Sequence, residues 1–302
     1  EKGRIIMRLK FQQNYWNHVN GWLLVLPAVF MIGLFTHFPI GSSLFHSLFS
    51  TGTATRPAEF IGLENYAYLL EDEIFWKVLF NNFVYSFCTV PMSIGMALGM
   101  ALLVNRNIKA RSLIRMSFFT PTVLPMIAVA NIWLFFYTPE YGLFDQVFSA
   151  FGGDSHNWLG NPDTALYCLI FMVIWKESGF FMIFYLAALQ QLSPELKEAG
   201  VVEGAGSWYY FRRVTFPLLM PTTLFITINA VVNSFKLVDH LVIMTKGGPD
   251  NASSLLLYYI YENAFGFWDA NYAATLTAVL VFILAVITII QFTIVEKRIH
   301  YQ

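Results

Sequence analysis

Charge is scarce in this sequence. Asp, Glu, Lys and Arg make up 12% of its 302 residues, about half their share in soluble domains, so an ordinary globular domain with a charged surface is excluded. Cysteine is scarcer still. Cys88 and Cys168 both lie inside apolar runs, which argues against a disulfide framework or a paired-cysteine metal site and leaves them as packing residues. No G-x-x-x-x-G-K-[ST] phosphate loop occurs, so the chain does not hydrolyse ATP by itself. H-E-x-x-H and G-x-S-x-G are missing as well, which argues against a metalloprotease or hydrolase. We expect no catalytic residue, no resident metal or cofactor and no nucleic-acid partner.

Apolar residues are abundant at 57%, and they are gathered into six stretches long enough to cross a hydrocarbon core as helices, which takes ~20 residues. These are about Trp22 to Phe45, Phe80 to Val104, Met116 to Tyr137, Ala165 to Leu189, Leu218 to Val238 and Tyr272 to Val295. Pro27 and Pro39 kink the first, and Pro121 and Pro125 bend the third; a bundle tolerates both. The expected fold class is all-α, a polytopic membrane protein with six transmembrane helices. Residues 1–21 form an N-terminal segment, 22–295 the membrane domain and 296–302 a tail. No small-residue cleavage site follows the first apolar run, so no removable signal peptide is expected.

Basic residues set the orientation. Lys2, Arg4, Arg8, Lys10, Arg106, Lys109, Arg111, Arg115, Lys197, Arg212, Arg213, Lys297 and Arg298 fall on one side; Arg56, Lys77 and Lys246 fall on the other, among many carboxylates. Both termini are therefore expected on the basic, cytoplasmic side. No loop is long enough to build a core of its own.

The most informative stretch is Gln191 to Pro221, polar between two apolar runs. Ser193 before Pro194 reads as a helix start. Gly204-Ala205-Gly206-Ser207 ends that helix before a second one, Trp208 to Val214, which Phe216-Pro217 closes. Small residues at Ala199, Gly200, Gly204 and Ala205 let another protein approach the backbone, and Glu198 offers an anchoring charge.

The order Glu198-Ala199-Gly200, Gly204, Val214 and Phe216-Pro217 resembles the EAA loop of permease subunits in binding-protein-dependent ABC importers of the maltose or multiple-sugar type. Gly200, Val214 and Phe216 replace the second Ala, the Ile and the Leu of that pattern, and Glu203 stands where Asp is common. The resemblance implies an ABC type I importer permease fold, with 191–217 as the coupling loop. Glu198, Ala199, Gly200, Glu203, Gly204, Ala205 and Pro217 would then contact an ATPase subunit.

Two further segments are similar to sugar-type ABC permeases. Phe60 to Tyr66, with Phe75-Trp76 and Asn81-Asn82 beyond it, matches their first external loop. Thr245-Lys246-Gly247-Gly248-Pro249, followed by Tyr258 to Tyr261, matches the turn after their fifth span. The resemblance implies a bacterial inner-membrane location and an assembly with a second, non-identical permease, two ATPase subunits that bind ATP and Mg, and a periplasmic solute-binding protein. A saccharide would be the cargo.

Polar groups at membrane depth mark a pathway or glue helices together. Asn229, Asn233 and Lys236 share a stripe of the fifth span, with Ser234 beside it; the fourth contributes Lys176, Glu177, Ser178 and Phe181. Amides, carboxylates and aromatic rings suit a saccharide, and the resemblance extends the substrate cavity to these positions. A cation facing that cavity, Lys236 or Lys176, suits an acidic sugar. The alternative is an ion-coupled secondary transporter of a small solute, with Lys176 and Glu177 as relay groups.

Overall fold

Long apolar runs become long helices, because inside a bilayer each backbone N–H and C=O must find its partner within its own segment. The computed structural model describes residues 21–52, 55–106 and 108–295. The basic N-terminal segment before Gly21 and the tail after Val295 lie outside the described residues.

In chain order the helices are α1 (Gly21–His46), α2 (Glu64–Glu71), α3 (Glu73–Asn105), α4 (Arg111–Val123), α5 (Met126–Phe136), α6 (Leu143–Ala150), α7 (Ala165–Gln191), α8 (Pro194–Val202), a helical run α9 over 207–218, α10 (Met220–Lys236), α11 (Asp239–Met244), α12 (Leu256–Tyr261) and α13 (Ala270–Val295). Five spans are long and apolar enough to cross a membrane: α1, α3, α7, α10 with α11, and α13. A sixth is α4 with α5, a pair bent by 102° at the break between them. Among the described residues no strand forms; one isolated bridge pairs Phe49 with Phe60.

Three expectations are corrected. The second span starts at Glu73 rather than Phe80, because the Asp72 side chain caps the helix by accepting the N–H groups of Ile74 at 2.9 Å and Phe75 at 3.2 Å. At 33 residues it is ~50 Å long, well beyond a hydrocarbon core. The third span does bend at its prolines, but as a full break between Val123 and Met126 rather than within one helix. The fifth unwinds at Leu237 and resumes as α11.

The bundle is built on α3 against α7. Ala97 and Ala101 are fully buried on α3, and small residues at this depth let the helices approach closely. Around them pack Phe181, Met182, Tyr185 and Leu189 of α7 with Leu219, Ile226 and Ala230. Toward the acidic-loop side a second cluster joins α5, α7 and α11 through Met126, Trp133, Leu169, Val173 and Leu241. Cys88 and Cys168 are unpaired, and Cys168 is buried in that second cluster. A third cluster, including Phe75, Val78, Phe235, Leu256 and Leu276, seats α12 and α13 against α3.

The acidic-side loops are tied to helix ends. Asp72 accepts the hydroxyls of Tyr259 at 2.7 Å and Tyr272 at 2.6 Å. Asn81 donates to the carbonyls of Asn251 and Ser254, and Lys77 pairs with Asp250 at 3.0 Å. Thr51 donates to Asp269. The loop after Met244 is thus held by one face of α3.

Candidate functional site

The polar stretch between α7 and α10 folds into two short helices. Ser193 Oγ accepts the Glu195 N–H at 3.3 Å and Pro194 opens α8, as its sequence dictates. At the other end Gly204 adopts φ 72°. The Ala205 N–H bonds the Gly200 carbonyl at 2.9 Å and the Gly204 N–H bonds that of Val201 at 3.1 Å, the paired closure of a Schellman cap that favours glycine.

No residue of α8 is buried. Glu198, Ala199, Glu203 and Gly204 are exposed, while Gly200 and Ala205 are half-buried. Leu196, Val201, Val202, Trp208 and Tyr209 are exposed as well, with Val202 at 87%. A capped rod with apolar residues in the open is a surface made to be covered. Tyr210 folds back over it: a Cβ on Gly200 would lie 2.9 Å from that ring.

Pro217 does not close the second helix. A π turn over Phe211–Thr215 precedes it, Phe216–Leu218 continues the helix with Pro217 in its first turn, and α10 begins at Met220. The wider turn accommodates a proline that has no N–H to give. Pro217 is exposed. The helical run α9 therefore leads almost without interruption into the span that carries Asn229 and Asn233, and the Gly204 turn joins α8 to it.

Deeper in the bundle Glu177, Phe181, Asn233 and Ser234 come together around one narrow cleft, with Thr89, Ser93, Val173 and Ala230 in its walls. Asn233 donates to Glu177 at 3.3 Å, and Ser234 and Ser86 hydroxyls lie 2.8 Å apart. Ser178 is not in the cleft wall; it is fully buried and donates to the Ile174 carbonyl of its own helix. Thr89 and Ser93 were missed in the sequence, although they sit four residues apart on one face of a span, the signal that picked out Asn229 and Asn233. Tyr85 on α3 and His240 on α11 were missed too; both are fully buried, with the tyrosine hydroxyl 3.1 Å from Nε2.

Lys176 turns away from this cleft. It is buried, and its Nζ donates to the carbonyls of Pro121 at 3.0 Å and Leu124 at 2.7 Å. Neighbours on a helix point ~100° apart, so one residue serves the broken third span and the next the cleft.

Asn229 and Lys236 flank Asn233 on its stripe of α10 but stand outside the cleft wall. Lys236 is exposed. Asn229 is half-buried and donates to the Phe225 carbonyl one turn back. Polar side chains on a membrane span tend to face protein or water; the Asn229 amide is met by its own helix, and Lys236, the last residue of α10, is placed to reach the interface. Among the described residues no cluster of His, Cys, Asp and Glu is arranged to hold a metal ion.

The family model described as "Binding-protein-dependent transport system inner membrane component" matches residues 89–301. The chain is 32% identical over 277 residues to the sulfoquinovosyl glycerol transport system permease protein of Agrobacterium fabrum, covering 91% of this chain and 90% of that one. It is 35% identical over 286 residues to the lactose transport system permease protein of Rhizobium radiobacter, covering 93% and 95%. In fold it is similar to a chain of a bacterial ABC transporter involved in import of the acidic polysaccharide alginate, with TM-score 0.84 and 20% identity over 95% of this chain and 99% of that chain.

Proposed function

The chain belongs to the family of binding-protein-dependent transport system inner membrane components, and on that basis we propose that it is the permease subunit of an ATP-driven importer. It takes a saccharide from a periplasmic binding protein and passes it across the inner membrane by alternating access. The basic side is cytoplasmic, with both termini on it. Relatives named for lactose and for sulfoquinovosyl glycerol support a sugar cargo.

The observation that carries this reading is the rod. α8 is capped at both ends, has no buried residue, and is joined by the Gly204 turn to α9, which runs on to α10, so a push on it shifts the span that bears the cleft residue Asn233. An ATPase subunit with bound ATP and Mg supplies the push; Glu198, Ala199, Gly200, Glu203, Gly204 and Ala205 form the contact, and Pro217 sits at the root of the lever. A second, non-identical permease covers the Asn229 and Lys236 face. Between the two chains, Glu177, Phe181, Asn233 and Ser234 with Asn229 and Lys236 line the path, and a narrow cleft in one chain widens into a cavity shared by both.

The ion-coupled alternative is not favoured, because Lys176 is committed to backbone carbonyls and Glu177 to an amide. Uptake into sealed vesicles carrying the assembled importer decides between them. Uptake that needs ATP on the basic side and persists when ionophores collapse ion gradients is expected; uptake that follows the ion gradient without ATP overturns the proposal.

A further inference from the structure

The break in the third span leaves a backbone deficit. In a continuous helix the Pro121 carbonyl would accept from the residue four places on, but that residue is Pro125, which has no N–H. Proline also drives the residue before it out of helical geometry, and Leu124 is extended at ψ 136°, so its carbonyl leaves the ladder as well. At membrane depth each unpaired carbonyl is costly. Lys176 meets both, at 3.0 and 2.7 Å, and its positive charge faces the negative end of the α4 dipole.

The neighbouring contacts make this a joint rather than an isolated bond. Three residues further along α7, a Cβ on Gly179 would lie 2.2 Å from the Phe118 carbonyl, so α4 rests directly on the α7 backbone. On the other side of the break Trp133 of α5 packs edge-on against Trp175 of α7, ring centres 5.4 Å apart. The two halves of the third span therefore lean on successive turns of α7, with Lys176 at the vertex. Beside it in sequence, Glu177 receives Asn233 from α10, the span the rod drives.

We propose that Lys176 is a positioning residue of transport: it holds the two halves of the broken third span at a fixed angle on α7, and it does not bind cargo. A shift of α10 reaches α7 through Asn233 and Glu177, and Lys176 carries it into the joint. The proposal rests on the transport reading for its functional half. Its local half, the carbonyl-supplying role, stands without it.

The test uses the assembled importer with Lys176→Met, Lys176→Arg and Pro125→Ala. Amide exchange over 121–129 reads the joint without reference to transport. Lys176→Met is expected to speed exchange there, Lys176→Arg to leave it near native, and Lys176→Met to have a smaller effect in the Pro125→Ala background, where residue 125 again has an N–H. Uptake of a neutral and an acidic oligosaccharide reads the functional half. Lys176→Met is expected to lower both by the same factor, about tenfold or more for two lost charged hydrogen bonds, and Lys176→Arg to retain most of both. Unchanged exchange in Lys176→Met, or an equal effect with and without Pro125, overturns the joint. Loss confined to the acidic sugar makes Lys176 a cargo ligand and overturns the positioning role. If the native assembly shows no ATP-dependent uptake at all, the transport reading fails while the exchange result still decides the joint.

Discussion

Asn233 on α10 donates its amide to the carboxylate of Glu177 on α7 across 3.3 Å, and both line the same cleft. A hydrogen bond to a charged group is worth roughly 1.5–3 kcal/mol, so Asn233→Ala is expected to lower uptake by about tenfold or more. Asn233→Asp is expected to be worse, since it sets two carboxylates against each other at low dielectric. Glu177→Gln keeps an acceptor and is expected to fall between the native chain and Asn233→Ala. Initial uptake rates at matched membrane abundance check this order, and equal rates for all the variants would remove the pair from the pathway.

Asp72 joins three elements that are distant in sequence. One carboxylate oxygen caps α3 and the other accepts two tyrosine hydroxyls, from α12 and α13. Asp72→Ala loses the cap, worth about 0.5–2 kcal/mol, and strands two buried phenols. Thermal unfolding of the detergent-solubilised chain is expected to shift down by about 5 °C, with Asp72→Asn in between. A shift no larger than that of an exposed control such as Glu71→Ala, at the end of α2, would show that the node contributes little.

Asp145 gives a pH prediction on the acidic side. It is buried at the start of α6, and the His156 N–H at 2.8 Å, then the Ser155 hydroxyl and the Glu140 N–H at 2.6 Å, hold its carboxyl below the usual range although burial opposes them. A carboxylate with a depressed folded pKa stabilises the fold above its unfolded value of ~3.9, and that contribution is lost as pH falls through the folded value. The loop over 138–164 is therefore expected to stay protected at pH 5 and above and to loosen only in stronger acid. In Asp145→Asn it is expected to be looser throughout, without that acid step. Trp158 fluorescence across a pH series checks both, and an acid step that persists in Asp145→Asn would assign it to another group.

What the sequence made legible was local. Ser193-Pro194 and Gly204 mark the ends of α8 because caps are chosen by the residues beside them. The spans were visible because apolar length is a one-dimensional property. The break at Leu124 was not, since Pro121 and Pro125 indicate a bend whose angle is set by Lys176 and Gly179, more than fifty residues away in sequence. Periodicity separated Lys176 from Glu177 by ~100°, but which one faced the cleft depended on where α4 and α10 packed. Pro217 was read as a stop because its missing N–H ordinarily ends a helix, and a π turn absorbs that cost here. Thr89 and Ser93 escaped notice because single hydroxyls are common in membrane helices, where they bond their own backbone, as Thr89 does to the Tyr85 carbonyl at 2.7 Å.

Gly204 separates the two ways in which the rod can fail. A Cβ placed there meets nothing within 4 Å, yet the backbone is left-handed at φ 72°, so substitution costs conformational strain rather than a clash. That strain is roughly 1–2 kcal/mol for most residues and less for Asn, which visits this region more readily. Gly204→Val is therefore expected to unwind the Schellman cap and lower cargo-stimulated ATP hydrolysis by the partner subunits several-fold, while Gly204→Asn stays near native. Glu198→Ala leaves the cap intact and removes only an exposed charge, so a loss of stimulation there reports contact with the partner rather than the shape of the rod. Hydrolysis measured in reconstituted complexes, with and without loaded binding protein, distinguishes these outcomes. If all three variants were stimulated like the native chain, α8 would not be the element through which the ATPase acts.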